Sequence, residues 1–162
     1  MFSNELLDQA EKLVEALRQR KLMVATAESC TGGLLAGLLT TVPGTSDIFE
    51  RGFVTYTNEA KMQMIDVPEE ILNNQGAVSR ECAEAMARGA LANSAADLAV
   101  SITGIAGPTG ATPAKPVGLV HFGLAGKDGV LQHRQERFPG DRTAVRLASV
   151  EVALELLQAG LN

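Results

Sequence analysis

The sequence has no tryptophan, only one tyrosine (Tyr56) and only two cysteines, Cys30 and Cys82. With aromatics this scarce, the core must be assembled from Ala, Val, Leu and Ile. Two cysteines are too few for a disulfide framework, so a reducing compartment is expected. No apolar stretch approaches the roughly 18 residues needed to span a bilayer. The opening Met1-Phe2-Ser3-Asn4-Glu5 lacks the basic and apolar regions of a signal peptide. A cytoplasmic protein without a membrane partner is therefore expected. Basic runs are also missing, the longest being Arg18-Gln19-Arg20-Lys21, and the formal net charge is −5. Nucleic acid attracts clustered cations through counterion release, so it is not expected as a partner.

Familiar chemical signatures are absent too. Gly104-Ile105-Ala106-Gly107 does not fit the dinucleotide spacing, and Gly126-Lys127 lacks the other elements of a P-loop. Ala27 and Thr31 stand where a G-x-S-x-G elbow needs glycines. His121 and His133 are isolated and read as strand positions on a hairpin. No His/Cys/Asp/Glu group shows ligand spacing, so neither a metal nor another cofactor is expected.

What is present is one domain's worth of alternating elements. At 162 residues, 46% of them hydrophobic, the chain suits a single domain with a real core. Leu6, Leu7, Ala10, Leu13, Val14 and Leu17 form one helical stripe, with Ser3 or Asn4 as cap. Met23–Ala27 reads as a buried strand, Leu34–Leu39 as a helix and Gly52–Thr57 as a second strand, a βαβ unit. Ser79 caps a helix carrying Cys82, Ala83, Met86, Ala87, Ala90 and Leu91, and Leu98–Thr103 reads as a strand. Residues 107–118 read as a loop beside a site. Val117–Ala125 and Val130–Phe138 flank the hairpin turn Gly126-Lys127-Asp128-Gly129. Asp141 caps a last helix from about Arg142 to Gln158. The fold class expected is α/β: a single domain, residues 1–162, in a three-layer α/β/α sandwich with a mixed sheet. Two apolar stripes on the last helix, one with Val145, Ala148, Val152 and Leu156, the other with Leu147, Val150, Leu154 and Leu157, predict burial on more than one side. A homo-oligomer is expected on that ground, with the domain's own layers as the other source of cover.

The segment that invites chemistry is Glu28-Ser29-Cys30-Thr31-Gly32-Gly33, between a strand and a helix. Free N–H groups at a helix start hold a phosphate or stabilise an oxyanion, and Gly32 and Gly33 allow close approach. An ordinary N-cap made by Ser29 or Thr31 fits the same pattern, and both readings stay open. A serine nucleophile without histidine needs another base, and Lys61, just past the second strand, is the candidate. Parallel neighbours end on the same side of a sheet, where open α/β sheets bind ligands. An ordinary lysine is neutral in only roughly one molecule in 2,500 at pH 7, so its pKa must be lowered. By spacing alone, Lys61 reads as a solvated helix residue.

Thr26-Ala27-Glu28-Ser29-Cys30-Thr31-Gly32-Gly33, Tyr56-x-Asn58-x-x-Lys61, Gly76-Ala77-Val78-Ser79 and Thr103-Gly104-Ile105-Ala106-Gly107-Pro108 occur in this order, followed by Pro116-Val117-Gly118 and Gly140-Asp141-Arg142. Through them the sequence closely resembles the C-terminal domain of the competence/damage-inducible protein CinA, also found as a free-standing nicotinamide mononucleotide deamidase. The resemblance implies hydrolysis of the carboxamide of nicotinamide mononucleotide, with Ser29 as nucleophile, Lys61 as base and Tyr56 assisting. It also implies substrate contacts from Cys30, Thr31, Gly32, Gly33, Asn58, Thr103, Gly104 and Gly107, with Arg142 at the phosphate. The family's Gly-Pro-x-Gly-Gly continues here with Ala111, a methyl group that restricts the loop or crowds a ligand. Two alternatives are a non-catalytic nucleotide-binding or protein-interaction domain, and a thiol hydrolase using Cys30 at a thiolate-favouring helix start, although Cys30 also reads as a small core residue and Ser29 is preferred.

Overall fold

The computed structural model describes residues 1–162. Ser3 caps α1 (Asn4–Arg20), its side chain accepting from the Leu6 N–H. The chain then enters β1 (Val24–Glu28), α2 (Leu34–Leu39) and β2 (Phe49–Val54). Helices α3 (Asn58–Ile65), α4 (Glu69–Asn74) and α5 (Arg80–Ala92) lead into β3 (Leu98–Gly104). The hairpin β4 (Leu119–Gly126) and β5 (Leu131–Arg137) precedes α6 (Arg142–Ala159). Strand order is β2-β1-β3-β4-β5, parallel across β2, β1 and β3 and antiparallel beyond.

Alternation along the strands separates two cores. Val24, Leu98, Val100, Ile102, Val120, Phe122 and Leu124 face α1, α2 and α6. Ala25, Ala27 and Ala99 face the other way, onto Cys82, Met86 and Ala90 of α5. That second face is lined with small residues, which lets α5 lie close to the sheet. A Cβ at Gly123 of β4 would run into the Ala83 carbonyl, and one at Gly89 would run into the Ile65 carbonyl. The result is the expected three-layer α/β/α sandwich with a mixed sheet.

One sequence expectation needs correction. The second strand occupies 49–54 rather than 52–57, because Thr57 leaves the sheet to cap α3, accepting from the Ala60 N–H at 3.0 Å. The apolar circumference of α6 is covered by its own domain. Val145, Val152 and Leu156 from one stripe, and Val150, Leu154 and Leu157 from the other, are all buried within the chain. The two stripes therefore need no second subunit. No helix is long and apolar enough to cross a membrane.

Candidate active site

Three parallel strands end on one edge, and the chemistry-bearing residues gather there. Ser29 follows β1 directly, its N–H donating to the Ile102 carbonyl of β3 at 3.0 Å. One strand over, the Thr55 N–H donates to the Glu28 carbonyl at 2.9 Å, extending the β1–β2 pairing past Val54. The chain then turns into α3, whose first turn swings Lys61 back under the end of β1.

Lys61 is 1% exposed and makes no ion pair with a carboxylate. Its Nζ lies 3.0 Å from Ser29 Oγ, 2.9 Å from the Thr55 carbonyl and 3.4 Å from the Tyr56 carbonyl. A neutral amine donates two hydrogens to the two carbonyls and presents its lone pair to the Ser29 hydroxyl. Burial of the ammonium lowers the pKa from the ordinary lysine value. Burial favours the neutral form, and the 3.0 Å separation puts the amine within proton-transfer reach of the Ser29 hydroxyl.

The pair opens on a cavity of about 300 Å³, at the small end of the range for ligand sites. Its wall includes Tyr56, Asn58, Cys30, Thr103, Gly104, Gly107 and Arg142 from among the residues singled out in the sequence. Ala77, Val78, Ile105, Ala106, Thr109 and Gly110 complete it. The Arg142 guanidinium reaches across from the start of α6, donating to the Gly107 carbonyl at 2.8 Å and the Tyr56 hydroxyl at 2.9 Å. Thr103 donates to the Ala77 carbonyl at 2.8 Å, tying β3 to the segment before α5. Ala111 is exposed and is not part of the wall, so its methyl group does not crowd the cavity.

The structure departs from the sequence reading at four points. Thr31, Gly32 and Gly33 do not reach the cavity wall. The start of α2 is not free either, because the buried Glu28 carboxylate accepts from the Leu35 and Ala36 N–H groups at 2.9 and 3.0 Å. Any anion-binding role of that helix start is thus already taken by the chain's own side chain. Burial pushes the Cys30 thiol up to about 11, the opposite of the thiolate-favouring field expected from sequence. The Tyr56 hydroxyl points to Arg142 and makes no hydrogen bond to Ser29 or Lys61, while the Tyr56 main-chain carbonyl does reach Lys61.

Sequence reasoning missed Glu28 and Arg146 as contributors. Arg146 donates to the carbonyls of Cys30 and Thr31 at 3.1 and 3.0 Å. Its only sequence signal is its position one helical turn after Arg142. His121 and His133 sit across the β4–β5 hairpin, their Nδ1 and Nε2 atoms 2.9 Å apart and outside the cavity wall. No group of three or more His, Cys, Asp or Glu side chains is arranged to hold a metal ion.

Comparison with known proteins agrees with this architecture. Residues 7–161 match the family model of the CinA C-terminal domain. The chain is 51% identical over 157 residues to nicotinamide-nucleotide amidohydrolase PncC of Escherichia coli K12, spanning 97% of this chain and 95% of that protein. It is 54% identical to a protein of Caldicellulosiruptor saccharolyticus named for competence-damage induction, but spans only 38% of that protein's length. Among solved structures, the competence/damage inducible protein CihA from Agrobacterium tumefaciens superposes with a TM-score of 0.96 at 48% identity, covering 98% of this chain and 97% of that one. The chain belongs to the CinA C-terminal domain family.

Proposed function

We propose that the whole chain, residues 1–162, is an amidohydrolase that converts nicotinamide mononucleotide to nicotinic acid mononucleotide and ammonia, a salvage step for pyridine nucleotides. The observation that carries this reading is the buried Lys61 Nζ at 3.0 Å from Ser29 Oγ on the wall of the cavity. The naming of the E. coli relative supplies the substrate class.

Neutral Lys61 takes the Ser29 hydroxyl proton as Oγ attacks the carboxamide carbon, and the carbonyl π pair moves to oxygen. Collapse of that intermediate breaks the C–N bond, and the Lys61 proton passes to the departing ammonia. Water then attacks the acyl-serine, again giving a proton to Lys61, which returns it to Ser29. The substrate's cationic pyridinium disfavours a second positive charge nearby and so helps keep Lys61 neutral. Arg142, on the cavity wall, would pair with the phosphate. Tyr56 assists by orienting Arg142 through its hydroxyl and Lys61 through its main-chain carbonyl. Thr103, Gly104, Gly107, Asn58 and Cys30 shape the wall around the ring and ribose.

Composition supports a cytoplasmic enzyme without nucleic-acid or membrane partners. With α6 covered by its own layers, a homo-oligomer rests on the exposed Val54, Tyr56 and Met64 around β2 and α3. Light scattering at the monomer mass across micromolar concentrations overturns that part. The direct test of function is ammonia release on incubation with nicotinamide mononucleotide. Binding without ammonia would leave a nucleotide-binding domain and end the amidohydrolase reading.

A further inference from the structure

Arg146, on α6, is half-buried and forms no ion pair. Its guanidinium holds two consecutive main-chain carbonyls instead, Nε on Cys30 at 3.1 Å and Nη2 on Thr31 at 3.0 Å. Both belong to the turn directly after Ser29. In a trans peptide the C=O and N–H groups point in opposite directions, so fixing one aims the other. The Thr31 carbonyl shares its peptide plane with the Gly32 N–H, which donates to the Ser29 carbonyl at 3.0 Å. The Ser29 carbonyl in turn shares its plane with the Cys30 N–H, which donates to no other residue's backbone. Two peptide units therefore connect the guanidinium to a donor on the residue after Ser29, and Cys30 lines the cavity. Hydrogen bonds in series polarise one another, and a permanent cation at the far end acts in the same direction. Gly32 makes the turn possible: its φ of +58° is left-handed, and a Cβ there would sit 3.5 Å from Arg146 Nη2.

We infer that Arg146 is a positioning residue for an oxyanion site, holding and polarising the turn so that the Cys30 N–H faces the oxygen that gains charge when Ser29 attacks. The start of α2 cannot supply that donor, since Glu28 occupies its Leu35 and Ala36 amides. Donors aimed at developing charge act more strongly in the transition state than on bound substrate, so the effect falls on kcat. This inference rests on the amidohydrolase reading above.

The test compares wild type, Arg146→Ala and Arg146→Lys in steady-state deamidation of nicotinamide mononucleotide. It also compares their affinity for the 3-carbaldehyde analogue of the substrate. Ser29 adds to that aldehyde, forming the O–C bond and placing the carbonyl electron pair on oxygen, with the hydroxyl proton going to Lys61. Arg146→Ala should lower kcat by about 10²-fold with KM changed less than about twofold, and should weaken the aldehyde by a similar factor. Added guanidinium ion should restore part of that kcat. Arg146→Lys keeps the charge but cannot hold two carbonyls as a fork, so it should fall between the two. If Arg146→Ala does not fold, the kcat-against-KM split of Arg146→Lys decides. Unchanged kcat and aldehyde affinity in an otherwise active enzyme would overturn the inference alone, as would a loss confined to KM. A kcat loss that follows lost thermal stability and is not rescued by guanidinium would also overturn it. A wild type that releases no ammonia overturns the amidohydrolase reading and takes this inference with it.

Discussion

Lys61 Nζ lies 3.0 Å from Ser29 Oγ, although 32 residues separate the two in sequence. The parallel pairing of β1 and β2 creates the contact, because both strands deliver the chain to the same edge of the sheet. If Lys61 is the base, Lys61→Ala should lower kcat by about 10²–10⁴-fold with little change in KM. Lys61→Arg should fail almost as badly, since guanidinium stays protonated. Burial lowers the Lys61 pKa, so the wild-type rate should rise with pH through an apparent pKa below the ordinary lysine value. Steady-state kinetics across pH for these variants check all three, and an active Lys61→Arg enzyme would end the base assignment.

Ser29 and Cys30 are neighbours with opposite expected roles. Ser29→Ala should abolish turnover while the variant still folds and binds substrate. Cys30→Ala should retain most activity, because a thiol pushed up to about 11 is almost wholly protonated at neutral pH. Side-by-side assays with a binding measurement settle the identity of the nucleophile, and the reverse pattern would make the enzyme a thiol hydrolase.

Glu28 sits one residue before Ser29, and both of its oxygens accept from the first amides of α2. A glutamine there keeps the size but offers one acceptor oxygen and places an amide N–H₂ against a backbone donor. Glu28→Gln should destabilise the fold by about 1–3 kcal/mol, read as a lowered midpoint in denaturant unfolding. An unchanged midpoint would show that the carboxylate is not what anchors α2.

The paired histidines predict an acid-sensitive fold. Burial lowers His121 to about 4, with the neighbouring His133 adding to the effect, and burial also lowers His133. Between about pH 6.5 and 4 the unfolded chain takes up protons that the folded chain refuses. Stability should therefore fall as pH falls through that window, by at most about 3 kcal/mol at pH 4 for His121. Melting temperature should decline more steeply from pH 7 to 4.5 in the wild type than in His121→Gln. Parallel declines would show that other groups govern acid unfolding.

The sequence by itself determined the features whose partners lie within a few residues. Ser3, Ser79 and Asp141 each cap the helix they precede, with acceptor and donor three positions apart. Gly126-Lys127-Asp128-Gly129 turns the hairpin as its composition predicts, and strand–helix–strand patterning fixes the parallel pair β1 and β2. Helix α4 was not legible: it is six residues long and carries one buried side chain, too little for a periodic signal, whereas the equally short α2 carries three. Tertiary structure alone decided the chemical state of the site. Lys61 lies on a short helix in a polar segment, Tyr56-Thr57-Asn58-Glu59-Ala60-Lys61, that reads as solvated, yet packing leaves it 1% exposed. Burial made Cys30 the small core residue rather than the thiolate, two readings the sequence left side by side, and the start of α2 lost its expected vacancy to Glu28. Arg146 reached the turn after Ser29 across 116 residues of chain. Caps and turns are satisfied locally, so residue order encodes them directly. Burial, pKa and long-range donor–acceptor pairs depend on which surfaces the layers bring together, and only the packed sandwich sets those.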